Sequence, residues 1–166
     1  VGAAIAAFNW TVDPVGVFGN SPNGIYVFSE RPYKIRQVQN FPHDVLLLGS
    51  SKPAAFDPAS VGEHRIYNAS LAFAVPEEIL EILERGGQRA DAVLIGLDFY
   101  MFNGKPSTLK TDLFPSTDSI AGLPRFLFSL PIFLDSVRHL YLTAVGRPVL
   151  IKPNGQWNRW DRDLLE

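Results

Sequence analysis

Residues 44–51, Asp-Val-Leu-Leu-Leu-Gly-Ser-Ser, constrain the fold more than any other stretch of the chain. The uninterrupted apolar run Val45–Leu48, bounded by His43-Asp44 and Gly49, has the pattern of a strand buried on both faces, as in a parallel sheet. Arg65-Ile-Tyr-Asn68 and Ala92-Val-Leu-Ile95 repeat that pattern. Between these two lies the clearest helical spacing of the chain. Pro76 suits a first turn, Glu77 and Glu78 favour the positive end, Ile79, Ile82 and Leu83 share one face, and Gly86-Gly87 closes the segment. Strand, short helix, strand, helix, strand predicts right-handed crossovers and an α/β fold, a parallel sheet with helices on both faces.

The remaining segments are less regular. With 166 residues the chain has room for one domain of ordinary size. The predicted organisation is an N-terminal arm over 1–40 and an α/β domain over 41–166. Residues 9–40 are rich in Asn, Pro, Gly and aromatics, with turn pairs at Asp13-Pro14, Gly19-Asn20 and Pro22-Asn23-Gly24. They read as an extended arm packed over the domain, with a short strand at Tyr26–Phe28. The apolar start Val1–Phe8 fits an N-terminal strand or helix, or the last turns of a membrane anchor lying upstream; alone it is too short for the roughly 20 residues of a span. Residues 104–122 form a polar excursion. Residues 123–142 return to helical spacing, with a break or kink at Pro131. Val149–Ile151 reads as a short strand and 154–160 as an aromatic loop.

Composition removes several function classes. A net charge of −2 with scattered Lys and Arg supports neither a nucleic-acid face nor a polybasic membrane patch. Without cysteine there is no disulfide, thiol catalysis or thiolate metal site. No Gly-rich phosphate loop follows a strand, and no His/Asp/Glu cluster has metal-ligand spacing, so neither metal nor cofactor is expected.

In open α/β sheets ligands bind at the carboxyl ends of the strands. Three such ends matter: Gly49-Ser50-Ser51, Asn68-Ala69-Ser70 and Gly96-Leu97-Asp98. Gly49 permits a sharp turn and Lys52-Pro53 can open a helix. Ser51 at that junction is then presented as a nucleophile, its own N–H lying where an oxyanion would develop. The alternative is a plain strand-to-helix turn with serine as cap.

Asp44-Val-Leu-Leu-Leu-Gly-Ser-Ser51 resembles the first block of the SGNH (GDSL-type) hydrolase superfamily, in which the third residue of Gly-Asp-Ser is the nucleophile. Here Ser50 stands for the usual Asp, as in divergent, often membrane-anchored envelope relatives. Tyr67-Asn-Ala-Ser-Leu-Ala-Phe73 resembles the second block, Asn-x-Ser-x-x-Gly, which supplies a backbone N–H to the oxyanion hole. Ile95-Gly-Leu-Asp98 resembles the third, Gly-x-Asn-Asp. The resemblance covers roughly residues 44–103. It implies a flavodoxin-like three-layer fold and a serine esterase or O-acyltransferase. Ser51 would be catalytic, with Gly49, Ser70, Phe73 and Asp98 around the oxyanion site and Asn68 and Lys52 on the substrate rim. The substrate would be a small-molecule or carbohydrate acyl ester, the cell envelope being one source, and the domain would be exported on a membrane anchor.

The departures are specific. Phe73 stands in place of the second-block glycine and Asp98 in place of the third-block Asn. An ionised carboxylate only accepts hydrogen bonds and repels an oxyanion. The family's Asp-x-x-His, source of the general base, is absent from the sequence. His43 and His64 precede strands, at the wrong end of the sheet, and Asp135 and His139 have the spacing of a helix-surface pair. Two readings remain open: the catalytic pair lies beyond Glu166, or the domain is an SGNH-like binding or assembly module without hydrolase activity. An unrelated flavodoxin-like binding domain is a third. Asp98 is expected to act as a functional acid, to cap the next segment, or to pair with Arg65 or Lys52. Trp157 and Trp160 with Asn154, Asn158 and Arg159 read as loop packing or a sugar-binding rim, and Phe99–Phe102 as core or interface.

Overall fold

In the computed structural model, residues 2–21, 23–26, 30–102 and 122–158 are described. Three parallel strands form an open sheet in the order β2-β1-β3, with β1 at Val45–Gly49, β2 at Ile66–Asn68 and β3 at Ala92–Gly96. Val45 faces Ile66 on one side and Ala92 on the other, and the second ladder runs on to Gly49 against Gly96. The expected α/β class with a parallel sheet is what the chain forms.

The central strand explains the apolar run. Leu46 and Leu48 are fully buried on one face and Leu47 is buried on the other. Helix α2 (Glu30–Asn40) and helix α4 (Pro76–Gly86) cover the first face, where Ile35, Val38, Ile79 and Ile82 close over Leu46, Leu48 and Tyr67. The second face is covered differently. Over β1 and β2 lie the four-residue helix α3 (Ser51–Ala54) and the 3-10 turn Pro58–Val61. At β3, Leu94 on this face, in register with Leu47, is about half exposed, and so is its neighbour Ile95 on the first face.

Helix α4 begins and ends where its residues dictate. Pro76 takes the first position, and Glu78 turns back to accept the Val75 N–H at 3.1 Å. Gly86, expected only as a terminator, has a second role. A Cβ there would lie 2.2 Å from Val38 Cγ2, so glycine is what lets α4 approach α2.

The region 9–40, expected as an extended arm, carries helix at both ends. Helix α1 spans Gly2–Val12 and α2 begins at Glu30. Helicity of α2 is masked in the sequence because Glu30 and Lys34 occupy core-facing positions alongside Tyr33 and Val38. Between the helices the turn residues behave as their composition implies. Asp13 is buried and its carboxylate accepts the N–H groups of Val17, Phe18 and Asn20 at 2.8–3.0 Å. Of the expected Tyr26–Phe28 strand, 27–28 lie outside the described residues, and Ile25 makes an isolated antiparallel bridge to Ile151. Ile151 bridges again to Trp157, so the expected Val149–Ile151 strand is reduced to single bridges.

Pro131 marks a full break rather than a kink. Helix α5 ends at Leu127, and α6 (Leu130–Ala144) starts afresh with Ser129 as its cap, the hydroxyl accepting Ile132 N–H at 3.4 Å. Asn9 of α1 spans that break, donating to Leu127 O at 2.8 Å and Ser129 O at 3.2 Å, and Phe8 packs on Phe133. Among the described residues no helix is long and apolar enough to cross a membrane. The expected polar excursion falls, over 104–121, outside the described residues.

Gly86→Ala is expected to lower stability by about 1–3 kcal/mol in a urea titration, because the stiff Val38 side chain cannot yield. Adding Val38→Ala, which clears the contact, should make the glycine-to-alanine change less costly.

Candidate functional site

The site is the carboxyl edge of the sheet, and two glycines shape it. Gly49 and Gly96 are paired across β1 and β3, with Pro53 of α3 lying on both. A Cβ would come within 2.9 Å of Pro53 Cγ at Gly49 and within 2.6 Å at Gly96. Gly49 also has φ +150°, outside the comfortable range of other residues. The chain therefore turns sharply into α3 directly above the strand ends. Asn68 fixes α3 from the other side: its Nδ2 donates to Pro53 O at 2.7 Å, Phe56 O at 3.2 Å and Ala54 O at 3.3 Å. Asn68 is fully buried, so it clamps the turn from beneath and is not on the expected substrate rim.

Ser50 and Ser51 have opposite environments. Ser50 is fully buried and donates to Asp98 Oδ2. Ser51 is exposed as the first residue of α3, where its N–H has no intrahelical acceptor. Lys52 completes the group, its ammonium 3.4 Å from Asp98 Oδ1. With the Lys52 side chain 85% exposed, this pair is worth about 0–1 kcal/mol. Of the partners expected for Asp98, Lys52 is the one found; Arg65 pairs with Asp44. The carboxylate thus faces two donors, Ser50 and Lys52, and supplies no donor of its own.

The second-block segment leaves the sheet beside this turn, with Ala69 N–H donating to Leu47 O at 2.8 Å and Leu71 N–H to Gly49 O at 2.9 Å. Its backbone donors can be accounted for one by one. Ser70 N–H goes to Asn68 Oδ1 at 3.2 Å, Leu71 N–H to Gly49, and Ala72 N–H to Glu30 Oε1 at 2.7 Å. Phe73 N–H finds no acceptor among the described residues. Phe73 has φ +51°, the left-handed conformation that glycine takes without cost, and its side chain is 68% exposed. The phenylalanine standing where the glycine is expected therefore keeps glycine's backbone shape.

What holds that shape was not foreseen from the sequence. Three side chains from the first two turns of α2 grip the loop. Lys34 Nζ donates to Ser70 O, Glu30 accepts Ala72 N–H, and Arg31 Nη2 donates to Ala72 O at 2.9 Å. Arg31 is itself fixed by Glu78, with Nε to Oε1 at 2.7 Å. Glu30 and Lys34 are fully enclosed. Burial pushes the Lys34 amine down to about 7, opposed by the nearby Glu30 charge, and the same burial raises the Glu30 carboxyl, opposed by Lys34. The Trp157 ring lies 5.8 Å from Lys34 Nζ. A signal was present in the sequence: charges at 30 and 34 share one helical face with Tyr33 and Val38.

No histidine reaches this edge among the described residues. His43 and His64 precede β1 and β2 and so lie at the opposite edge. His139 of α6 packs edge-on against Tyr26 with centroids 5.0 Å apart, and burial lowers its pKa. Its expected surface pairing with Asp135 is not formed. Trp157 is buried and its backbone N–H donates to Ala54 O at 2.9 Å, which is packing; Arg159 and Trp160 lie outside the described residues. Phe99 and Phe102, expected in core or interface, stand 94% and 70% exposed at the site's rim, while Tyr100 donates to Ala74 O at 3.0 Å. Among the described residues no group of His, Cys, Asp and Glu could hold a metal ion. No family model, curated protein or solved structure matches the chain.

Two outcomes follow from this geometry. Phe73→Val is expected to cost about 1–2 kcal/mol more than Phe73→Gly in chemical denaturation, since a β-branched residue resists positive φ and glycine does not. Lys34 in the folded protein binds fewer protons than in the unfolded chain between about pH 7 and its ordinary value of 10.5. Its burial penalty is therefore full below pH 7 and relieved as pH rises. The stability of the wild type relative to Lys34→Met should increase from pH 7 to 9.5, and a flat difference would contradict a depressed Lys34.

Proposed function

We propose that this is an SGNH-type, flavodoxin-like domain acting as a serine esterase or O-acyltransferase on an acyl ester. The carrying observation is a pair of backbone donors with no acceptor among the described residues, the N–H groups of Ser51 and Phe73, on segments joined by the Leu71–Gly49 hydrogen bond. In this reading Ser51 Oγ attacks the ester carbonyl. The two N–H groups receive the charge that develops on its oxygen, a contribution of about 3–4 kcal/mol per donor in characterised hydrolases. Exposed Phe73, Leu97, Phe99 and Phe102 around the edge suit the apolar part of an ester. The general base is a group outside the described residues. A carbohydrate of the cell envelope as acceptor, and an exported, membrane-anchored placement, rest on the family resemblance. Apolar residues exposed on α1 and α6, among them Trp10, Leu134 and Tyr141, are consistent with a membrane surface.

The second reading is a binding or assembly domain of the same architecture. Asp98 favours it, because a carboxylate stands where the family resemblance expects an Asn donor, with Ser50 donating to it and Lys52 beside it.

A fluorophosphonate probe separates the two. On the esterase reading it labels the wild type on Ser51 and Ser51→Ala abolishes the label, located by peptide mass spectrometry. A folded wild-type protein that stays unlabelled would favour the binding domain.

A further inference from the structure

Arg31 touches neither serine, yet it holds the peptide unit that matters most to the site. Its Nη2 donates to Ala72 O at 2.9 Å, and that carbonyl belongs to the same planar unit as the Phe73 N–H. In a trans peptide the C=O and N–H point in opposite directions. There is no cis peptide in the described chain. The N–H of Phe73 is thus aimed away from the guanidinium and away from α2.

We propose that Arg31 is a positioning residue for the Phe73 N–H: by gripping the Ala72 carbonyl it fixes the 72–73 peptide plane and aims that donor out of the loop. Three further observations bear on it. The guanidinium cannot swing, because Nε and Nη2 both reach Glu78, at 2.7 and 3.3 Å, and Nη1 lies 3.4 Å from Glu30. The preceding peptide is pinned as well, through Ala72 N–H on Glu30. The left-handed φ at Phe73 costs about 1–2 kcal/mol, so the plane would relax if its carbonyl were released.

A guanidinium on the carbonyl does more than steer. It polarises the amide and strengthens the donor at its other end, as coupled hydrogen bonds do. Only a fork with several N–H groups can serve Ala72 O and Glu78 together. A lysine ammonium, a point donor drawn to the carboxylates of Glu78 and Glu30, keeps the charge and gives up the carbonyl. The role as oxyanion donor rests on the esterase reading; the orientation of the N–H does not.

The test uses Arg31→Lys, which retains the buried charge, beside Arg31→Met. Residual dipolar couplings of the ¹⁵N-labelled full chain report the Phe73 N–H vector, and fluorophosphonate kinetics report the chemistry at Ser51. The expected result is a turned Phe73 vector in both variants, with the couplings of β1 unchanged. The limiting labelling rate should fall about tenfold or more while probe affinity is unchanged. A Phe73 vector that keeps its wild-type direction in either variant overturns the assignment; a turned vector with an undiminished rate upholds the positioning and overturns Phe73 N–H as the oxyanion donor. If the wild type is not labelled at all, the esterase reading fails, and the couplings still decide the role of Arg31.

Discussion

A hydrogen bond from Ala72 N–H to the buried Glu30 carboxylate, 2.7 Å long, ties helix α2 to the loop that follows β2. Around it, Lys34 holds Ser70 O and Arg31 holds Ala72 O. Glu30 and Lys34 lie out of water and Arg31 is mostly enclosed; breaking one partner of a buried pair typically costs about 3–5 kcal/mol. Without them the loop would have no reason to keep Phe73 at positive φ, and Phe73 N–H would have no fixed direction. Apolar packing of α2 and α4 on Leu46 and Leu48 builds the scaffold; the charges select the shape of its working edge.

That edge divides two requirements of serine chemistry between neighbours. Ser51 is accessible, with an unspent N–H, but no base stands beside it among the described residues. Ser50 has a carboxylate at its hydroxyl but is sealed from solvent. Gly49 and Gly96 force this arrangement, because their lack of side chains lets Pro53 sit on the strand ends and turns the chain between the two serines. The chemistry open to the site is therefore attack by Ser51 assisted by backbone donors, completed by a base from elsewhere, or ligand binding without attack.

Sheet and serine turn were readable in advance because their physics is local. Val45–Leu48 has a strand's continuous apolar run, and Pro76 with Glu77 and Glu78 has a helix's opening. Helix α2 was not readable, because its core-facing positions are filled by Glu30 and Lys34, whose burial makes sense only with partners forty residues away. The same distance hid the role of Arg31. Phe73, where the family resemblance expects a glycine, left the backbone at that position open, and tertiary contacts hold it in the conformation glycine favours. Asn68 was misjudged for a related reason: an Asn at a strand end can face a ligand or brace a turn, and only the carbonyls of Pro53, Ala54 and Phe56 decide between them.

Helix α2 shapes the 70–73 loop by holding its backbone, and amide hydrogen exchange resolved at Ala72 and Phe73 tests that most directly. Ala72 N–H, buried on Glu30, should exchange slowly, near the rate set by global unfolding, and Phe73 N–H, one residue on, should exchange fast. Equal and fast exchange at both amides would contradict it, for the loop would then be held by nothing that Glu30, Arg31 and Lys34 provide.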